Sequence, residues 1–223
     1  MAIGEKTTYV SEIRALFKDA HARIYPKNQL IHYQGDPMSS VYLIKEGYIK
    51  AYIILDTGDT RTLLILGPSD IFPLAFSVSM DWSNYRVKYF YQAMSDVHVD
   101  AVERDVFREH VESDLRKMNA YMNYMSASNN IIMTQLEIMK NKKAINKMEM
   151  LLPYLILKLG EEIKPNTYKL NLKLSHQELA DLSGVTRETT TTLIKQMEKE
   201  GIIEQKRGYW IIHTKNDENI YEQ

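Results

Sequence analysis

Apolar residues recur along this chain with two different periods, and the changes of period mark out its elements. Val10, Ile13, Leu16 and Phe17 fall on one helical face, so the spacing predicts a short amphipathic helix over about residues 9–22. From Ala22 to Glu103 the texture changes to short β-branched and aromatic runs separated by turn residues. Leu30–Tyr33 precedes Gly35-Asp36-Pro37, Val41–Lys45 precedes Glu46-Gly47, and Tyr48–Leu55 precedes Asp56-Thr57-Gly58-Asp59. Arg61–Leu66 precedes Gly67-Pro68, and Tyr85–Met94 and Val97–Val102 follow. Strands this short and this closely spaced predict an antiparallel sandwich or barrel, with a jelly-roll a good fit.

The period then returns to the helical one. No Gly or Pro occurs between Glu103 and Lys143. Leu115, Met118, Met122, Met125, Asn129, Ile132, Leu136 and Met139 are spaced alternately by 3 and 4 residues, which is an a/d seam. A single long helix is predicted, with this seam as a two-chain coiled-coil interface; the other reading is a core helix lying on its own barrel. Asn129 in the seam suits register control, and the methionines suit an adaptable contact. Ala144–Leu159 reads as a further helix with Pro153 inside it and Gly160 at its end, and Leu170–Leu174 reads as a short strand.

The segment from Ser175 to His213 carries the chemistry. Ser175-His176-Gln177-Glu178 is a capping box that opens a short helix with Leu179, Ala180 and Leu182 on its apolar face. Ser183-Gly184-Val185 makes a turn, Thr186 caps a second helix reaching about Lys199, and Gly201 lies just past its end. That order is a helix-turn-helix. Thr190, Leu193, Ile194 and Met197 can face the first helix, leaving Arg187, Glu188, Thr191, Thr192 and Lys195 on the opposite face, near the end that enters a major groove. Ile202–Glu204 and Tyr209–Ile212 flank Gln205-Lys206-Arg207-Gly208, a hairpin with a basic tip that reads as a wing.

Composition and charge sharpen this picture. The 223 residues include no cysteine, which removes disulfides, thiol nucleophiles and Cys-ligated metal or iron–sulfur centres. The six histidines form no close ligand cluster along the chain, so no metal or other cofactor is expected. The net charge of -1 divides unevenly. Residues 141–215 carry 13 Lys and Arg against 9 Asp and Glu, a net of +4, and the remainder carries 15 against 20, a net of -5. A modestly basic C-terminal part therefore stands beside an acidic N-terminal one. No secretory leader, lipidation signal or membrane span is legible, so a cytoplasmic protein with no membrane partner is expected.

Thr186-Arg187-Glu188-Thr189, following Leu179-Ala180 and Gly184, closely resembles the recognition region of the Crp/Fnr bacterial transcription regulators. Gly35, Val41-Tyr42-Leu43-Ile44, Gly47 and Gly67 with Asp70 resemble the spacing of that family's sensory barrel. The resemblance runs from about residue 20 to 213. It implies an α+β chain: an N-terminal antiparallel β jelly-roll of the cyclic-nucleotide-binding type over 1–112, a dimerisation helix over 113–140, and a winged helix-turn-helix over 141–223. It also implies a DNA-binding regulator and not an enzyme, a homodimer on double-stranded DNA with an inverted-repeat operator, and an activator that recruits RNA polymerase. Arg187 would pair with guanine and Glu188 with cytosine, Thr186, Lys195, Lys206 and Arg207 would contact phosphates, Thr192 would contact a base edge or a thymine methyl, and Ser175 and Thr191 would belong to the same DNA-binding surface. Many members carry a second arginine where this chain has Thr192, so the half-site is expected to be related to TGTGA without being identical to it.

Members that bind a cyclic nucleotide use a Gly-Glu turn and an Arg-Ser pair. Those positions fall here on Pro73-Leu74 and Val87-Lys88, with Arg86 one residue away. The family's Thr-Ser pair on the dimer helix falls near Ile132-Met133. The resemblance therefore implies a small-molecule effector other than a cyclic nucleotide, held between barrel and dimer helix by Phe72, Leu74, Tyr85, Tyr89, Tyr91, Tyr121 and Met125. Three alternatives remain open: a filled barrel with an effector-independent regulator, a ligand-binding module whose winged helix contacts protein, and a small-molecule enzyme.

Overall fold

The computed structural model describes residues 11–73 and 86–214. The chain divides into two compact units, one formed by the chain up to Ile53 with Ile65–Asn130, the other by Ile54–Leu64 with the chain from Ile131 onward.

The first unit begins with a short helical piece, α1, over residues 11–15. The expected helix to residue 22 stops there, and the chain turns into β1 (His21–Tyr25). Tertiary pairing decides this: β1 lies antiparallel to β8 with His21 opposite Ala101 and Tyr25 opposite Val97. Ile13, Leu16 and Phe17 are buried as the helical period requires, and Phe17 packs 5.3 Å from Phe107. The remaining strands before the first long helix are β2 (Leu30–His32), β3 (Ser40–Glu46), β4 (Ile49–Ile54), β5 (Thr60–Leu66, of which Thr60–Leu64 belongs to the second unit), β6 (Ile71–Phe72), β7 (Phe90–Ala93) and β8 (Val97–Glu103). They form two four-stranded sheets in the orders β1-β8-β3-β6 and β2-β7-β4-β5, the two layers of a jelly-roll. The predicted strand from Tyr85 to Met94 is shorter than expected: Arg86 makes an isolated bridge to Pro37, and the ladder starts at Phe90. Val10, Leu74 and Tyr85 lie outside the described residues.

Inward-facing side chains of the two sheets meet in an aromatic cluster. Tyr42 stacks on Phe72 at 4.8 Å, Phe72 lies 5.6 Å from Tyr91, and His32 stands edge-on to Tyr42 at 5.4 Å. Two helices follow, α2 (Arg104–Glu112) and α3 (Leu115–Lys140). The Tyr124 hydroxyl of α3 accepts from the Ile71 amide at 2.7 Å and donates to the Ile71 carbonyl at 3.3 Å. Burial pushes this phenol far above the ordinary tyrosine range, so it stays a neutral donor.

α3 carries two seams. Tyr121, Tyr124, Gln135 and Ile138 are buried, with Ser128 and Ile131 half-buried between them, again at alternating steps of 3 and 4. The sequence-predicted seam lies beside this one: Leu115, Met122, Asn129, Ile132 and Leu136 are exposed, while Met118, Met125 and Met139 are half-buried.

The second unit contains α4 (Ala144–Leu159), β9 (Gly160–Lys164), β10 (Thr167–Leu170), α5 (His176–Ser183), α6 (Arg187–Lys199), β11 (Ile203–Lys206) and β12 (Tyr209–His213). Pro153 sits inside α4, and the sheet order is β11-β12-β10-β9. The strand expected over Leu170–Leu174 is displaced toward the N-terminus, and only Leu170 belongs to it. Leu172 and Leu174 are buried outside the ladder, and the Trp210 indole donates to the Leu174 carbonyl at 2.7 Å. β9 escaped the sequence pattern because four of its five residues are exposed, which leaves no alternation to read.

Candidate nucleic-acid interface

The recognition segment is fixed at each end by its own residues. At the start of α5 the Ser175 amide donates to the Glu178 carboxylate at 2.6 Å and the Glu178 amide donates to the Ser175 hydroxyl at 3.2 Å, completing the capping box. Gly184 ends α5 at φ 66, a left-handed position that suits glycine. Two residues on, the Thr186 hydroxyl accepts from the Thr189 amide at 3.3 Å and starts α6. Thr190, Ile194 and Met197 are buried, and Leu193 is half-buried. That side packs α6 on α5 and turns the opposite side outward.

Thr186, Arg187, Glu188, Thr192 and Lys195 are all exposed on that outward side, and Thr191 is half-buried. Arg187 and Glu188 are the first two residues of α6. Two threonine hydroxyls bond back along the helix: Thr191 to the Arg187 carbonyl at 2.9 Å and Thr192 to the Glu188 carbonyl at 3.0 Å. These bonds let a run of four β-branched residues sit in a helix with their hydroxyls satisfied, except for Thr190, whose buried hydroxyl has no partner. Ser175 is exposed, but its hydroxyl donates to Glu178 at 2.8 Å.

The wing is tighter than its sequence suggested. β11 runs through Lys206 and β12 starts at Tyr209, leaving a two-residue turn with φ 53 at Arg207 and φ 83 at Gly208. Positive φ at both central residues matches the twist of a two-residue hairpin. Lys206 and Arg207 are exposed, and the Lys206 amine pairs with Glu204 at 2.7 Å, which holds Glu204 below the ordinary carboxylate range.

Two further cations stand beside the wing that sequence reading missed. The Lys169 and Lys173 amines lie 4.6 and 5.0 Å from the Tyr209 ring centroid. Their alternation with Leu170, Leu172 and Leu174 was visible, but the aromatic partner is some 40 residues away and only folding supplies it.

This geometry is that of a winged helix-turn-helix that presents Arg187 and Glu188 at the N-terminal end of its second helix. The family described as the Crp-like helix-turn-helix domain matches residues 152–216, and the cyclic nucleotide-binding domain family matches residues 22–114. The chain belongs to the Crp/Fnr family. It is similar to a global nitrogen regulator of Synechocystis, 24% identical over 85% of this chain and 83% of that one. A cyclic AMP receptor protein of Thermus thermophilus is 25% identical over 81% of this chain and 78% of its own length. The solved structure of FixK2 from Bradyrhizobium japonicum shares the fold, with a TM-score of 0.73, 19% identity, and coverage of 88% of this chain and 93% of that one. This Crp/Fnr protein is a transcription regulator with a helix-turn-helix DNA-binding domain, and its relatives are regulators and not enzymes. No helix among the described residues is long and apolar enough to cross a membrane.

The barrel of this Crp/Fnr chain places the remaining sequence-predicted residues. Phe72 and Tyr91 are buried in the aromatic cluster, and Tyr121 is buried 5.6 Å from Phe107. Tyr89 and Met125 are half-buried against the same core. Where the family's Arg-Ser pair would stand, Val87 is buried while Arg86 and Lys88 are exposed.

Proposed function

We propose that this regulator binds an inverted-repeat operator as a homodimer, with Arg187 and Glu188 of each copy reading base edges in successive major grooves. The observation that carries this reading is the exposed pair at the start of α6, set between a capped turn and a basic wing. Arg187 is suited to guanine O6 and N7, and Glu188 to a cytosine amine. Thr186, Ser175, Lys195, Lys206 and Arg207, joined by Lys169 and Lys173, supply backbone contacts that set register. The exposed seam of α3 supports the homodimer: Leu115, Met122, Ile132 and Leu136 are 41–77% exposed in the single chain, an apolar stripe that a second copy would cover. The allocation is a sensor over 1–112, a dimer helix over 113–140 and a DNA-binding domain over 141–223, in a cytoplasmic protein that works with RNA polymerase.

The effector reading is a small molecule other than a cyclic nucleotide. Buried Val87, with Arg86 and Lys88 exposed on either side, leaves the segment leading into β7 without a buried cation for a phosphate. Tyr89 and Met125 at the margin of the cluster, with Phe72, Tyr91 and Tyr121 behind them, suit an apolar or aromatic ligand. A second reading is favoured by one observation: Tyr42, Phe72, Tyr91 and His32 already pack against one another, as they would in an effector-independent regulator.

Selection of bound DNA from a random pool, with and without cell extract, tests both. The expected result is a palindrome with half-sites related to TGTGA, and dependence on extract distinguishes the effector-controlled form from the independent one. Arg187→Glu is expected to abolish binding to the selected site; unchanged binding would refute the DNA-reading role and favour a protein-contact module.

A further inference from the structure

A half-buried contact joins the two helices beside the recognition face. His176 Nδ1 is 2.9 Å from the Thr191 hydroxyl, joining the first residue of α5 to the middle of the exposed face of α6. The His176 ring packs 5.6 Å from Trp210, whose indole is bonded to the Leu174 carbonyl, so the imidazole is held by the wing strand and the entry to α5 together. Thr191 also donates to the Arg187 carbonyl at 2.9 Å. A hydroxyl has one proton to give. With that proton on Arg187, the proton between Thr191 and His176 is assigned to Nδ1, and the imidazole is the donor.

The Thr191 hydroxyl then donates once and accepts once, and has no proton left to give a base. The group of this side chain with no polar partner is its methyl. On a helix placed in a major groove, a threonine methyl finds one complement that no other base offers, the C5-methyl of thymine. We infer that His176 is a specificity-determining positioning residue that holds the Thr191 hydroxyl with its one proton committed to Arg187, so that Thr191 reads a thymine methyl instead of donating a hydrogen bond to a base. This rests on the DNA-reading role of α6 proposed above. It adds an apolar base contact, set by a residue of the preceding helix, to the polar contacts of Arg187 and Glu188.

Replacing the thymines of the selected half-site with uracil, one at a time, removes each C5-methyl and nothing else. One thymine is expected at which this change weakens binding by about fourfold, the size of one buried methyl group. Thr191→Ser keeps the hydroxyl and removes the methyl, and it is expected to bind thymine and uracil versions equally at that position. His176→Phe keeps a ring against Trp210 but has no donor, and discrimination is expected to collapse. His176→Asn puts an amide N–H where Nδ1 stands, and discrimination is expected to return.

Discrimination that persists in Thr191→Ser would overturn the inference, since the methyl would not be the reader. Discrimination that persists in His176→Phe, with thermal unfolding unchanged, would overturn the positioning role. Absence of any uracil-sensitive thymine would overturn it with the DNA-reading role intact. Failure of the parent chain to select any half-site would instead refute the underlying reading.

Discussion

At the scale of single residues, the side chains that matter most are polar groups placed where water does not reach them. His32 is 8% exposed within the cluster of Tyr42, Phe72 and Tyr91, and its Nε2 has no partner. Burial pushes its imidazole below the ordinary histidine range, Asp36 with Oδ2 3.9 Å from Nδ1 opposes that shift, and Arg23 adds to it. The folded state thus prefers the neutral ring, while the unfolded chain takes up a proton near pH 6.5. Its contribution to stability is therefore full above that value and falls as the pH drops toward the folded-state pKa. Urea unfolding of the sensor at pH 7.5 and 5.5 is expected to show a lower midpoint at the acidic pH, and His32→Phe a smaller difference between the two. None of this was legible in the sequence, where His32 was one of six scattered histidines. Its partners lie 10, 40 and 59 residues further on, and only sheet packing gathers them.

At the scale of elements, turns and seams decide. Gly47 joins β3 to β4 at φ 86, and a Cβ there would collide with the Asp96 carbonyl. Gly47→Ala thus meets both a strained backbone and an immovable neighbour, and is expected to lower the melting temperature of the sensor by several degrees in a thermal scan. The helix α3 shows how a pattern can be incomplete. Its first seam was read directly from the 3-and-4 spacing of mostly apolar residues, and five of its eight positions are exposed in the single chain. The second seam was hidden by its own composition. Ser128 and Gln135 break the apolar run, and Gln135 is buried with both amide atoms unpartnered. Met122→Glu together with Leu136→Glu puts two charges in the seam, and light scattering is expected to report a dimer for the parent chain and a monomer for the double variant.

At the scale of the whole molecule, a near-neutral total conceals a division of charge. The basic part carries Lys169, Lys173 and Arg207 near the wing, in a chain whose net charge is -1. Binding that depends on phosphate contacts loses affinity with added salt in proportion to the number of contacts. In a dimer each substituted lysine counts twice, so Lys173→Gln is expected to reduce the slope of log affinity against log salt by about two, at roughly 0.9 per phosphate. Its preference among half-sites should stay as it was. A slope equal to that of the parent would place Lys173 off the DNA.

The sequence by itself determined the class of this molecule. Strand and helix periods, the capping residues around Gly184, and Arg187 with Glu188 behind Thr186 are local signals, each confined to a few neighbouring residues; the caps and the start of α6 survive in the folded chain, and most of the periods do. The tertiary structure alone decided what depends on residues far apart. It ended α1 early in favour of the pairing of β1 with β8, moved β10 toward its N-terminus, and set Lys169 and Lys173 against Tyr209. It also buried His32 among aromatic rings and joined His176 to Thr191. Local pattern records the free energy of short segments, whereas burial and hydrogen-bond partnership depend on which segments meet, and that is settled only when the sheets and helices close on one another.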